Sequence, residues 1–165
     1  MASPPARDRD AAGHARNARP RDRLGRPLPR GSQGVPTVAE DTVLSVPDSI
    51  RQAQVYLDTD MPFHAHEVLE QAWKSSQGEQ AQVLRAATQT AVGLTHWSRG
   101  NAKGARALWR RAHDSLGPLA PGSVPDARIA GLSVAGLLSW LDDALDNTGE
   151  QDLPRLVLLP PDGFS

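Results

Sequence analysis

The sequence predicts an all-α fold, a compact bundle of about five helices, and three observations carry that prediction. Apolar residues between Ile50 and Leu145 recur at three- and four-residue spacing, the period of a helix with one buried face. No proline falls between Pro62 and Pro118, so three helices can run there uninterrupted. Shifted by forty residues, the chain falls on itself with matching residue sizes, as two copies of one helix hairpin would.

Residues 1–47 hold seven of the fourteen prolines and almost no periodic apolar residues. They cannot bury enough surface to offset their chain entropy, so a basic, proline-rich, extended or disordered tail is expected there. Residues 24–29 and 35–44 are the parts of it suited to lie along a helical body. A helical domain follows over 48–147. Pro47-Asp48-Ser49 starts a first helix over 48–58, with Ile50, Ala53, Tyr56 and Leu57 at helical spacing. Pro62, suited to the first helical position, opens a second over 62–76, in which Ala65, Val68, Leu69, Ala72 and Trp73 make one apolar stripe. A third, over 80–99, carries Val83, Leu84, Ala87, Thr90, Ala91, Leu94 and Trp97 on a broad face, with Val92 opposite, so cover on more than one side is expected.

Arg99-Gly100-Asn101 reads as a tight turn in which glycine accepts the left-handed conformation and Asn101 caps the next helix. That fourth helix, over 101–116, buries Ala105, Leu108, Trp109 and Ala112. Residues 117–132 are a loop with three prolines and a short extended piece over 128–132. Ser133 caps the last helix, 133–147, with Val134, Leu137, Leu138, Leu141 and Leu145 on one face. Residues 148–165 form an extended C-terminal tail, whose apolar stretch is bounded by Pro154 and Pro160 and suits a packed strap or a loose end.

In the forty-residue repeat Ala53 falls on Gly93, Tyr56 on His96, Asp60 on Gly100, Ala65 on Ala105, Leu69 on Trp109 and Ala72 on Ala112. Small residues recur where two helices approach closely and bulky ones where they interlock. Each half is similar to a tetratricopeptide-type helix hairpin, and two such hairpins, too few for a free solenoid, close into a bundle with the last helix.

Composition excludes several classes. Without cysteine there are no disulfides, thiolate metal sites or thiol nucleophiles. No apolar run approaches the roughly 18 residues of a membrane span, and the N-terminus lacks the apolar core of a secretory signal. A soluble, cytoplasmic protein is expected. Residues 1–34 carry eight arginines against three aspartates, a basic tail on an acidic body. Arginine exceeds lysine sixteen to two over the whole chain, so arginine richness is general and nucleic acid is a disfavoured partner.

The run Phe63-His64-Ala65-His66-Glu67-Val68-Leu69-Glu70-Gln71-Ala72-Trp73, followed by Gln89, Gly93 and His96, then Arg99-Gly100-Asn101 and Gly104-Ala105-Arg106, resembles the domain of unknown function 309 family. An F-x-x-H-E-x-x-E-x-x-W helix and a G-N-x-x-G-A turn carry the resemblance, over about residues 48–116. The arginine-rich stretch before residue 30 is similar to the lead-in of high-GC bacterial members. The resemblance implies a small all-helical bacterial protein and brings no established activity.

Within this frame His66 and Glu70, one turn apart, sit on the border of the apolar stripe and need partners there. Gln89 and His96, seven apart on the third helix, are the natural ones. The favoured reading is a polar network of His66, Glu70, Gln89, His96 and Asn101 tying helix to helix. A ligand pocket is the alternative, with His66, Glu67 and Glu70 as the catalytic candidates. No metal is expected; His66, Glu70 and His96 are the donors that would hold one. Glu70 stands where the zinc-protease motif needs its second histidine, which excludes that class. His64, beyond the stripe, is expected to be solvated, and His113 to lie at a helix end. The four tryptophans, one on each of the last four helices, are read as core. Arg106, Arg110 and Arg111 form a solvated basic face.

Three functions follow in rank. The first is a non-enzymatic interaction or scaffold module with a protein partner, no cofactor and no membrane contact. The second is a ligand- or metal-binding, hydrolase-like enzyme using His66, Glu70 and His96. The third is nucleic-acid contact through the arginine-rich tail.

Overall fold

Three helices of this protein start on a side chain that takes up a free N–H of the first turn, and one starts on a proline that has none to satisfy. The computed structural model describes residues 19–38, 42–120, 128–147 and 152–159. Helix α1 is Val46–Asp58, with Ser45 Oγ accepting the Asp48 N–H; α2 is Pro62–Lys74; α3 is Gly78–Ser98. Helix α4, Ala102–Leu116, is capped by Asn101, whose Oδ1 accepts the Gly104 N–H at 2.9 Å. A short 3₁₀ turn, Gly117–Leu119, follows. Strands β1, Arg128–Ile129, and β2, Leu132–Ser133, then pair antiparallel around Ala130 and Gly131. Both turn residues have positive φ (57° and 85°), as a two-residue hairpin requires. Ser133 Oγ accepts the Gly136 N–H and starts α5, Val134–Asp146.

The fold is therefore all-α, with one two-stranded hairpin among the described residues. Helix ends agree with the sequence expectation to within two residues. The expected extended piece over 128–132 is the small hairpin. His14, the residues before Arg19, and the prolines at 121 and 125 lie outside the described residues.

Helices adjacent in sequence pack side by side from α1 to α5, around Ile50, Leu69, Leu84, Trp109, Leu116 and Leu141, all fully buried. The forty-residue repeat is visible in the geometry. Helices α1 and α3 end at residues 58 and 98, and α2 and α4 begin at 62 and 102. Asp60 and Gly100, matched in the repeat, both adopt left-handed backbone (φ 58° and 79°). The turn bonds match too: Met61 N–H donates to Tyr56 O, and Asn101 N–H to His96 O, each at 2.8 Å.

Three of the tryptophans form a row, one pair tilted and the other edge to face. Trp97 and Trp140 lie 5.7 and 5.5 Å from Trp109, ring centre to ring centre. Trp109 Nε1–H donates to Thr90 O. This row requires Gly93, because a Cβ there would stand 2.2 Å from Trp109 Nε1. Trp73 lies apart, under the guanidinium of Arg85 at 5.4 Å. On α4, Arg110 and Arg111 are exposed, whereas Arg106 is half-buried. Arg106 sits over the Trp97 ring at 5.8 Å and donates to Asn147 O, so it ties α4 to the end of α5 instead of facing water.

Two non-helical segments lie against this body. Residues 19–38 turn back on themselves: Arg21 bridges Pro27, and the Asp22 carboxylate accepts the N–H groups of Leu24 and Arg26. The segment meets α1 and α2, with Tyr56 Oη donating to Pro36 O at 3.4 Å. Residues 152–159 run along α1, with Leu156 and Leu158 buried and Val157 exposed.

Candidate functional site

Helix α2 has two populated faces. Ala65, Val68, Leu69 and Ala72 enter the core, and Phe63, His66, Glu67, Glu70 and Lys74 line the outer side. The outer side meets residues 19–38. Two guanidinium groups lie over the Phe63 ring, Arg21 at 4.7 Å and Arg99 at 5.9 Å from its centre, in cation–π contact. Arg99 Nε–H also donates to Leu24 O at 3.0 Å, and Arg23 donates to Thr59 O, so arginines from the segment and from the body hold the two together. Gly25 makes the close approach possible. Its φ is +74°, and a Cβ there would stand 2.0 Å from the Phe63 ring.

His66 Nδ1–H donates to Phe63 O, which fixes the tautomer and leaves Nε2 with its lone pair. Burial holds this imidazole below its ordinary 6.5. The Phe63 hydrogen bond and Glu70 act against that lowering, and Arg21 and Arg99 add to it. Glu70 accepts from Lys74 at 2.7 Å. His96 Nδ1 accepts from Asn101 Nδ2 at 3.0 Å, since Asn101 Oδ1 is committed to the Gly104 N–H. Gln89 lines a separate depression with Trp73, Arg85 and Arg111. The structure thus gives His66, Glu70 and His96 different partners and places Gln89 in a separate depression. Among the described residues no three His, Asp or Glu side chains stand close enough together to hold a metal ion. His113, in the last turn of α4, lies 3.0 Å from Asp142 of α5.

His64 departs from expectation. It is 1% exposed, and neither ring nitrogen has a hydrogen-bond partner among the described residues. Its ring packs 5.6 Å from both Tyr56 and Phe63. The cause of the difference is tertiary. On a helical wheel His64 flanks Val68 at the edge of the apolar stripe, and residues 19–38 close over that edge. Burial pushes its pKa below 6.5, His66 and Arg21 push the same way, and Asp22 opposes them. His64 forms part of the wall of a cavity of about 340 Å³, with Arg19, Arg21, Tyr56, Glu67 and Lys74 also lining it. Burial and the nearby Glu67 raise the Tyr56 phenol. Nothing local in the sequence marks Arg21 or Tyr56 as neighbours of His64, because both lie outside α2.

A second arrangement occupies the far side of α1. Gln54, 8% exposed, uses its whole amide group. Its Nε2 donates to Asp58 Oδ1 at 2.8 Å and to Leu156 O at 3.2 Å, and its Oε1 accepts the N–H groups of Leu158 at 2.6 Å and Leu159 at 3.4 Å. Trp140 Nε1–H donates to Pro154 O at 2.8 Å. Arg155 pairs with Asp58 at 2.7 Å. One extended stretch of chain is thereby held by its main chain and by alternate side chains.

No helix among the described residues is long and apolar enough to cross a membrane. Among curated proteins and among solved structures no match to the chain was found. Residues 50–108, which run from α1 into α4 and include the outer face of α2 and the Asn101 cap, match the family model described as Domain of unknown function (DUF309).

Proposed function

We propose that the protein is a non-enzymatic interaction module whose helical body receives an extended polypeptide between α1 and α5. The observation that supports this reading is Gln54. A buried side-chain amide that hydrogen-bonds the carbonyl and N–H of alternate residues acts on any extended chain as a neighbouring strand does. Sequence preference comes from the sites filled by Leu156 and Leu158 and from Asp58 facing a basic residue, while Trp140 adds a main-chain hydrogen bond that any residue can accept. The preferred partner is therefore a segment with a basic residue followed by apolar residues at alternate positions. In this structure the chain's own residues 152–159 fill the groove.

A labelled peptide of residues 152–159, titrated into the full chain carrying Leu156→Asp and Leu158→Asp, tests this. Circular dichroism verifies that the helices remain. Saturable binding, reduced at least tenfold by adding Gln54→Ala, is the expected result. A folded variant that binds no peptide would show that the groove serves only the chain's own segment.

His66 supports a second reading, a proton-handling or ligand site. The Phe63 carbonyl holds its Nδ1–H and leaves Nε2 as a free base beside Glu70. A pH titration of the His66 ring by ¹⁵N NMR, assigned by the loss of its resonances in His66→Ala, tests it. A ring that gains a proton at Nε2 while the protein stays folded would favour this reading, and one that takes no proton before unfolding would leave His66 structural.

A further inference from the structure

Residues 152–159 do not fill the space they lie against. A cleft of about 450 Å³ opens between this segment and the ends of α1 and α3, within the range of roughly 300–1,000 Å³ usual for ligand sites. Leu153 and Arg155 line it from the segment, and Leu57, Asp58, Asp60, Leu94 and Trp97 line it from the helical body. The body's share is thus part apolar and part acidic, with two carboxylates and no cation. Asp58 is already matched: its Oδ1 accepts the Gln54 amide and the Arg155 guanidinium. Asp60 is not. Its carboxylate has no hydrogen-bond or ion-pair partner among the described residues, and the left-handed turn holds the residue at the cleft. The segment brings to this place a half-buried Leu153 and an exposed Asp152, a further carboxylate in the same lining.

A side chain with an apolar stem and a cationic head suits such a lining, because its methylenes can lie against leucine and indole while the head stays in water near a carboxylate. We propose that the cleft is the subsite for a long cationic side chain two residues ahead of the basic residue that meets Asp58. This step rests on the reading of the groove as a receiver of extended chain, and it narrows the partner to a segment with basic residues at alternate positions ahead of its apolar ones. The chain's own segment, with leucine at that position and Asp152 before it, is the weaker occupant, and a partner of matching charge displaces it.

Peptides of residues 152–159 carrying Leu153→Arg, Leu153→Met or Leu153→Glu, titrated at one ionic strength into the full chain with Leu156→Asp and Leu158→Asp, test this. The expected result is tightest binding by the Leu153→Arg peptide, at least about threefold tighter than Leu153→Met, an effect in the range of exposed ion pairs. Leu153→Glu should bind weakest. Asp60→Asn in the receiving chain, where asparagine also accepts left-handed backbone, should remove the advantage. Equal binding of the Leu153→Arg and Leu153→Met peptides, or an advantage that Asp60→Asn leaves intact, would overturn the subsite. Should no peptide bind at all, the reception of a foreign chain fails, and the subsite is read within the otherwise intact protein. There Leu153→Arg should slow hydrogen exchange of the Leu158 amide at least about twofold relative to Leu153→Met, and Asp60→Asn should cancel the difference. Equal exchange in the two variants would overturn the subsite on its own account.

Discussion

A histidine with no hydrogen-bond partner in a core is held in one charge state. For both His64 and His66 burial lowers the pKa from 6.5. In the unfolded chain each imidazole takes a proton near its ordinary pKa, and in the folded protein only at lower pH. Below pH 6.5 the unfolded state therefore binds more protons, and stability falls as pH falls, by at most about 1.4 kcal/mol per pH unit for each group. Thermal melts should show a lower Tm at pH 5.5 than at pH 7.5, and His64→Phe should flatten that dependence. An unchanged slope in this variant would mean that His64 protonates freely in the fold. Gly93 makes a different demand at the same scale. Alanine there brings a Cβ within 2.2 Å of the Trp109 indole, which is fully buried and cannot retreat. Gly93→Ala should cost about 1–3 kcal/mol, the usual range for overpacking, and lower Tm by several degrees.

At the scale of elements, α2 packs between α1 and α3 on its inner side and carries residues 19–38 on its outer one. Its inner stripe was legible because helical periodicity is local: Ala65, Val68, Leu69 and Ala72 declare the buried side without knowledge of what buries it. The caps were legible for the same reason, as Asn101 and Ser133 show. His64 was not, because its cover comes from residues 19–38, a segment whose proline and arginine content argues for disorder when read alone. What orders it is a set of contacts to the body, Arg21 and Arg99 on Phe63 and Arg99 on Leu24, that no spacing rule encodes. Gly25 is where this docking is most easily broken. Gly25→Ala, strained at φ +74° and colliding with Phe63, should raise hydrogen exchange across residues 19–38 while protection in α3 and α4 stays as in the parent. Equal protection of the segment in both proteins would mean that the docking tolerates displacement of Phe63.

Across the whole molecule, one hairpin geometry is used twice and then closed by α5 and the C-terminal segment. The repeat was visible in the sequence as matched sizes, and the structure adds matched turns, with Asp60 taking the left-handed conformation that Gly100 takes in the second copy. The closure was not legible. Gln54 and Leu158 are distant in sequence, and a glutamine on an apolar helix face gives no sign of what it will bond. Gln54→Ala would leave the buried Leu158 N–H without its acceptor, at a cost of about 1–3 kcal/mol, and denaturant unfolding should show that loss as a lower midpoint. The row of tryptophans gives this closure an optical consequence. Trp140 ends the row that begins at Trp97, and its indole N–H is tied to the Pro154 carbonyl. Lifting residues 152–159 away hands that indole to solvent at one end of an electronically coupled trio. The emission of the protein should then move to the red, and the exciton couplet of the three rings should change, while the far-ultraviolet signature of the helices stays the same. The chain carries its own gauge of whether its groove is filled, and no dye need be attached to read it.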